Sequence, residues 1–176
     1  DMYATLLQDY HSFSMSVKEN ISINTLDTVS SWWGISKRKE ITKAEEIIKA
    51  YNVKTSNLNK EIKFLSGGNQ QKVIIGRSTC TEPKILIFDE PTKGIDIGAK
   101  TEVYRLMKEL AEKGIAIILI SSEMDEIKKC ANRIICMYHG EVTGECNYGS
   151  EKEEILKAIL GIKTSDEEGQ TDEQRV

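Results

Sequence analysis

The sequence predicts an α/β protein in which a parallel sheet with flanking helices is joined to a small helical subdomain. The main observation is an order of patterns: apolar runs at 84–88 and 115–120 flank an amphipathic helical stripe at 99–113. Each apolar run predicts a buried strand, as parallel sheets require. A strand, a long crossover helix and a second strand pair in parallel through a right-handed connection. The second observation is that helical patterns dominate before about residue 60, where the sheet signals begin.

These patterns divide the chain into three predicted parts. Residues 1–60 are expected to form a portion of the helical subdomain, and residues 61–163 the α/β part. Residues 164–176 are polar and acidic, so they bury little apolar surface and we expect a disordered tail.

Composition narrows the function classes. The 176 residues are 39% hydrophobic, enough for a sizeable core, and carry a net charge of −4. An acidic chain offers no basic field, so we expect no nucleic-acid partner. No apolar run approaches the roughly 20 residues that span a bilayer, so any membrane role requires a partner. The four cysteines lack C-x-x-C spacing, which disfavours zinc and indicates buried thiols in a reducing cytosol.

Two helix starts are indicated in the first 60 residues. Ser16-Val17-Lys18-Glu19 and Thr42-Lys43-Ala44-Glu45 each match the capping box, in which the hydroxyl accepts a backbone N–H and the Glu reaches back. Between them stand the adjacent Trp32 and Trp33. We expect both rings to be core or half-buried, with an exposed aromatic docking patch as the alternative.

The C-terminal part alternates between helices and strands. A helix from Ser122 to Ala131 is expected to be capped by Ser122, because Asp125 completes a capping box. Strands at 133–138 and 141–146 are separated by His139-Gly140, a two-residue hairpin signal. Ser150 is predicted to cap the last short helix.

Two adjacent carboxylates, Asp89 and Glu90, follow the apolar strand at 84–88. Ligands of open α/β sheets bind outside the carboxyl ends of the strands. An Asp at that place can hold Mg²⁺, and a neighbouring Glu can orient and polarise an attacking water. The alternative, with equal weight for the pair alone, is that Asp89 caps a turn and Glu90 is a solvated charge.

The turn Ser66-Gly67-Gly68 opens a predicted helix. Its glycines allow backbone N–H groups to approach an anion closely, and the helix N-terminus adds a partial positive charge. This arrangement suits a phosphate oxygen. The alternative is that Ser66 only caps the helix, and the joint occurrence of turn and carboxylates gives the functional interpretation its weight.

The stretch 65–73, LSGGNQQKV, closely resembles the signature motif of ATP-binding-cassette (ABC) ATPases. The stretch 85–92, ILIFDEPT, resembles their Walker B strand, and 93–96, KGID, stands where the family has its D-loop. The resemblance covers about Tyr10 to Gly161. The exact sequence of this motif, together with the stretches 15–21, MSVKENI, and 119–124, LISSEM, resembles the second cassette of a class of two-cassette ATPases. These ATPases energise bacterial monosaccharide importers of the ribose and galactose type.

The resemblance implies a partial P-loop NTPase-like sheet whose phosphate-loop strand is absent, with residues 61–163 as the C-terminal part of the ATPase core. It implies ATP and Mg²⁺ as cofactors. Asp89 would help hold Mg²⁺, Glu90 would be the general base, and Asp96 would communicate across the interface with a facing cassette. The implied nucleotide-binding residues are Leu65, Ser66, Gly67, Gly68, Asn69, Gln70, Asp96 and Ser122.

Two departures from the family pattern qualify these roles. The chain contains no G-x-x-x-x-G-K-[ST], the loop that cradles the phosphates, and Gln8 is not assigned to the glutamine loop. Ser122 stands where most cassettes carry the switch His, and a hydroxyl cannot supply an imidazole proton. We therefore expect the 176-residue chain to lack ATPase activity by itself and to self-associate or be marginally stable.

The resemblance also implies partners and a location. The intact ATPase would dock on transmembrane permease subunits, with no membrane span of its own, at the inner face of the plasma membrane and in contact with the facing cassette. Two alternatives remain at this point: a cassette ATPase without a transport role, and a catalytically silent interaction module in which Trp32 and Trp33 grip a partner.

Overall fold

A computed structural model describes residues 3–6, through their backbone, and residues 14–162. The chain forms two compact units, Asp1–Ser122 and Glu123–Val176. The predicted tail at 164–176 and Gln8 lie outside the described residues. The boundary predicted near residue 60 is a finer division within the first unit and stays a prediction.

The first unit alternates helices and strands after a helical region. In chain order it contains β1 (Tyr3–Leu6), α1 (Val17–Ser22), α2 (Leu26–Val29), β2 (Ser30–Ser31), β3 (Gly34–Ile35), α3 (Lys37–Ala50), α4 (Gly67–Thr79), β4 (Ile85–Asp89), α5 (Ile97–Glu112) and β5 (Ala116–Ile120). The second unit contains α6 (Met124–Cys130), β6 (Arg133–Tyr138), β7 (Glu141–Asn147) and α7 (Lys152–Ile159). None of the helices described is long and apolar enough to cross a membrane.

Strands β1, β4 and β5 form a three-stranded parallel sheet in that order, with β4 in the centre. Phe88 of β4 stands between Leu6 of β1 and Leu119 of β5. The predicted α/β fold, with β4 and β5 joined through a crossover helix, is confirmed. Strand β1 was not predicted, because the residues before 60 were assigned helical patterns only.

Helix α4 contributes much of the core of the first unit. Its buried residues are Gly68, Gln71, Lys72, Val73, Ile74, Ile75, Gly76 and Ser78. A Cβ on Gly76 would collide with Ile47 Cγ2 of α3, so glycine permits an approach of the two helices that a larger residue would prevent. Helix α4 therefore connects the helical region to the sheet.

Of the two capping boxes predicted before residue 60, the first is confirmed and the second is wrong. Ser16 caps α1 and exchanges hydrogen bonds with Glu19, as predicted. Thr42 lies inside α3, which begins six residues earlier than expected, and its hydroxyl donates to the carbonyl of Arg38 at 3.0 Å. In a helix interior, a threonine hydroxyl donates to the carbonyl four residues earlier. Thr42 does this, so it caps no helix N-terminus.

Trp32 and Trp33 form the turn between β2 and β3, and their side chains are 85% and 80% exposed. The expectation that they are core or half-buried is wrong. Strands β2 and β3 pair over only two residues each, too short to carry the rings back over the core. The structure instead agrees with the alternative, an exposed aromatic patch.

Strand β5 was predicted to be buried, and the structure corrects this. Its side chains alternate between half-buried and exposed, with Ile118 47% and Ile120 50% exposed. Within the described residues β5 pairs with β4 alone, so one of its edges has no strand beside it.

The second unit is built on the predicted β6–β7 hairpin. His139 and Gly140 both have positive φ, 49° and 85°, which a type I′ turn requires, so the hairpin signal is confirmed. Ser122 is not the cap of α6, because that helix begins at Met124 with Glu123 as its N-cap residue. Likewise Glu151, rather than Ser150, precedes α7. Helix α7 packs on the hairpin through Ile155, beside Ile134 and the buried thiols Cys136 and Cys146.

Candidate functional site

The carboxylate pair lies at the exit of the central strand. Asp89 is the last residue of β4, and Glu90 follows in a left-handed conformation with φ of 49°. The Glu90 N–H donates to the carbonyl of Ile120 at 2.8 Å, which fixes this turn to the end of β5. A non-glycine residue with positive φ is uncommon and marks a position whose geometry the surroundings impose.

The carboxylate of Glu90 has a defined orientation. Its Oε1 accepts a hydrogen bond at 2.8 Å from the backbone N–H of Ser122, a residue 32 positions later in the chain. The structure thus places Ser122 beside Glu90, although the capping role predicted for Ser122 is wrong. Because the contact uses the backbone, it does not depend on the Ser122 side chain.

The turn before α4 presents the start of a helix to solvent. Ser66 is the N-cap residue, but its side chain makes no capping hydrogen bond; instead its Oγ accepts from Asn69 Nδ2 at 2.8 Å. Ser66 and Gly67 are exposed, as an anion-binding turn requires. Backbone N–H groups of a first helical turn, together with the helix dipole, suit a phosphate oxygen.

The two glycines of this turn also have a packing role that the sequence did not indicate. A Cβ on Gly67 would lie 3.1 Å from Ile95 Cγ2, and one on Gly68 would lie 2.5 Å from Ala99 Cβ. The start of α4 therefore lies directly against the start of α5 and the segment before it. Larger residues at Gly68 would force these two helix starts apart.

The other predicted site residues lie around these two helix starts. Asp96 is the N-cap of α5, where its Oδ1 accepts from the Ala99 N–H at 2.9 Å. Gln70 Nε2 donates to the carbonyl of Leu65 at 2.8 Å, within its own turn. Asp96 and Gln70 thus shape the backbone of the candidate site in addition to any contact with a ligand.

Two polar residues of α4 that the sequence analysis did not single out are buried in contacts between elements. Gln71 donates from Nε2 to the carbonyl of Pro91 at 2.6 Å. Lys72 Nζ donates to the carbonyl of Asn52 at 3.1 Å and forms an ion pair with Glu102 of α5. The hydrogen bond from Lys72 to the Glu102 carboxylate lowers the pKa of Glu102. The available signal was that Gln71 and Lys72 precede the apolar Ile74 and Ile75 by three residues and so share their side of the helix.

The carboxylate pair offers oxygen donors for a divalent cation. Asp89 and Glu90 are adjacent carboxylates, but no group of three or more His, Cys, Asp or Glu residues in the described parts of the chain could enclose a metal. Mg²⁺ is commonly held by one or two carboxylates plus the oxygens of a bound phosphate and waters. The residues therefore fit Mg²⁺ that arrives with a phosphate ligand, and they do not form a self-sufficient metal site.

Solved structures share this fold. The chain matches a dimeric ATP-binding cassette in a post-hydrolysis state bound to ADP and Pi, with a TM-score of 0.71 and 23% identity over 86% of this chain and 65% of that one. It matches an inward-facing metal-chelate type ABC transporter with a TM-score of 0.74 and 21% identity, over 90% of this chain and 64% of that one. The TM-scores show a shared fold, and because both identities are below 25%, these two structures show the fold alone.

A curated relative is closer in sequence. The chain is 45% identical over 149 residues to the ribose import ATP-binding protein RbsA of Caldanaerobacter subterraneus subsp. tengcongensis, which is 83% of this chain and 30% of that protein. The chain thus spans about a third of the length of this relative. A family profile described as ABC transporter matches residues 2–93, just over half of the chain and all of the segment from the signature turn through the carboxylate pair. On this match, the chain belongs to the ABC transporter family.

Proposed function

We propose that this chain is the C-terminal part of the second ATPase cassette of a ribose- or galactose-type monosaccharide importer. The intact protein hydrolyses ATP and thereby drives sugar import through a membrane permease. The observation that carries the proposal is the pairing of a signature turn at the start of α4 with a carboxylate, Glu90, whose orientation a backbone N–H fixes. The 45% identity to a ribose import ATP-binding protein supports the transport role over a non-transport cassette.

Glu90 is the general base of this proposal. A base must hold its carboxylate in one orientation towards the attacking water, and the Ser122 N–H provides that constraint. Asp89, one residue earlier, would help hold Mg²⁺ that arrives with the phosphate ligand. When bound, Mg²⁺ neutralises charge that develops on the transferred phosphoryl group.

The signature turn serves a second nucleotide. Ser66, Gly67 and Gly68 contact the γ-phosphate of an ATP that is held mainly by a facing cassette, with Leu65, Asn69 and Gln70 shaping the turn. Asp96 communicates across the same interface. Because Ser66 and Gly67 are exposed at a helix N-terminus, the turn can approach an anion from another chain or cassette.

The proposal includes the partners and the location of the intact protein. It docks on permease subunits at the inner face of the plasma membrane, and its two cassettes face each other with nucleotide between them. The 176-residue chain lacks the phosphate-loop motif in its sequence, so by itself it hydrolyses no ATP.

Glu90→Gln in the intact ATPase tests the proposal. Loss of the base should lower kcat about 100-fold or more, because general base catalysis contributes roughly 10²–10⁴ in rate. Steady-state ATP turnover of the purified protein measures this, with Asp125→Asn, an exposed acid-to-amide change in α6, as the control. Turnover that is equal in Glu90→Gln and wild type would remove Glu90 from the chemistry.

The exposed Trp32–Trp33 turn favours a second candidate function, that of an interaction module. Two indole rings at a hairpin tip form a contact that is suited to an apolar pocket on a protein partner. In this candidate, the double variant Trp32→Ala and Trp33→Ala loses capture of the purified permease, while the exposed Tyr148→Ala retains it. Capture that is unchanged in the double variant would exclude this contact.

A further inference from the structure

Gln71 lies on α4, one turn after the signature turn, and is 1% exposed. Its side-chain amide donates to the carbonyl of Pro91, at 2.6 Å, and Pro91 immediately follows Glu90. This hydrogen bond is buried and joins residues 20 positions apart. It is a direct link between the helix that begins at the signature turn and the segment that carries the proposed base.

Together with two hydrogen bonds from β5 and the segment after it, this hydrogen bond constrains Glu90 and the residue that follows it. On the β5 side, the Glu90 N–H donates to the Ile120 carbonyl, and Glu90 Oε1 accepts from the Ser122 N–H, each at 2.8 Å. On the α4 side, Gln71 holds the next residue along the chain. The left-handed backbone at Glu90 therefore has a fixed contact on each side.

The start of α4 is equally constrained. Gly67 and Gly68 lie against Ile95 and Ala99 so closely that a Cβ would crowd either neighbour. The turn cannot shift relative to α5 without opening these contacts. Gly67 and Gln71 belong to one continuous helix, so a displacement of the first turn of α4 that opened these contacts would also move the Gln71 amide relative to Pro91.

We propose that Gln71 is a positioning residue that couples the two shared nucleotide sites. Through Pro91 it sets the orientation of Glu90 according to the position of α4, and so links engagement of the signature turn to readiness of the base. This inference rests on the proposed function, because it takes Glu90 as the base and the turn as the contact to the facing nucleotide.

A purely structural role for Gln71 predicts something different. A buried amide that only satisfies a buried carbonyl stabilises the fold, and its loss lowers stability without a specific effect on kcat. A positioning role lowers kcat at saturating ATP while KM stays nearly constant, because the lost contact matters in the transition state. The two roles therefore separate in a comparison of kinetics with unfolding.

The test uses the intact ATPase with Gln71→Met, which keeps the length of the side chain and removes its donor. We expect kcat to fall about tenfold and KM for ATP to change less than about twofold. Ile75→Val is the matched control, since Ile75 is fully buried on the same helix, outside the signature stretch, and contributes apolar packing only. That variant should lower the unfolding temperature and leave kcat within about twofold of wild type at temperatures where it is folded.

Gln71→Asn is the second variant, in case the methionine prevents folding. It keeps an amide but is one methylene shorter, so it should lower kcat in the same way. Wild-type kcat in a folded Gln71→Met or Gln71→Asn would overturn the inference, as would a kcat loss that Ile75→Val shares. Glu90→Gln separates the two levels: if it leaves turnover intact, the proposed function fails, whereas if it abolishes turnover and the Gln71 variants are normal, only the coupling role fails.

Discussion

Strands β4 and β5 are neighbours in one sheet with similar apolar sequences, yet they lie in different environments. In β4, Leu86 and Phe88 are fully buried, while their register partners in β5, Ile117 and Leu119, are only half-buried. On the opposite face of β5, Ile118 and Ile120 are about half exposed. A strand with one open edge and an uncovered apolar face is a site for pairing with another segment. The difference shows that the apolar run of β5 encodes a burial that the described residues do not supply. We propose that the phosphate-loop strand of the intact cassette supplies it.

The largest expected effect is a contrast in stability between the two strands. Phe88→Ala should destabilise the chain by about 3–5 kcal/mol, because it empties a fully buried site at the centre of the sheet. Ile118→Ala should cost about 1 kcal/mol or less, since half of that side chain is already in water. Urea unfolding of both variants measures the contrast. Equal losses would mean that β5 is covered in solution, and the comparison between the strands would fail.

Self-association of the 176-residue chain is the next largest effect. The exposed face and edge of β5 should pair with a second copy, and the double variant Ile118→Lys and Ile120→Lys should weaken this at least about tenfold by placing charge on an edge strand. Sedimentation over a range of concentrations measures it. Ile97→Lys, an exposed isoleucine at the start of α5, is the control and should leave association unchanged. A compact, stable wild-type monomer at high concentration would contradict the prediction.

The same contrast explains what the sequence could predict. The order of β4, α5 and β5 follows from apolar runs of strand length around a helical stripe, and these periodicities are local. The exposure of β5 depends on neighbours that no local pattern reports. The exposure of Trp32 and Trp33 was missed for the same reason. An aromatic pair by itself predicts burial, and its exposure follows from its place at the turn of a short hairpin.

The candidate site divides in a similar way. The motif identified the signature turn and the pair Asp89 and Glu90, because each is contiguous in sequence. It could not show that Glu90 accepts a hydrogen bond from Ser122 or that Gln71 bonds to Pro91, since both contacts join separate segments. A buried polar residue in an apolar helix face is the one local sign of such contacts.

The smallest expected effect concerns α5, the helix that connects the two strands. Lys72 of α4 forms an ion pair with Glu102 of α5, and their hydrogen bond lowers the pKa of Glu102. A carboxylate whose pKa is lower in the folded state stabilises the protein above its unfolded pKa, about 4.3, and loses that contribution as pH falls through the folded value. Because the Glu102 side chain is 43% exposed, the contribution should be below about 1 kcal/mol.

Glu102→Gln should therefore lower stability slightly at pH 7, and the gap to wild type should close as the pH falls from about 5 towards 3. Urea unfolding across this range measures it. Glu109→Gln, which breaks an ion pair with Arg105 within α5 itself, is the matched control for loss of a carboxylate on the same helix. If the two variants have the same pH profile, the Lys72 contact contributes nothing specific. If Glu102→Gln alone converges with wild type at low pH, the ion pair between Lys72 and Glu102 stabilises the packing of α5 on α4.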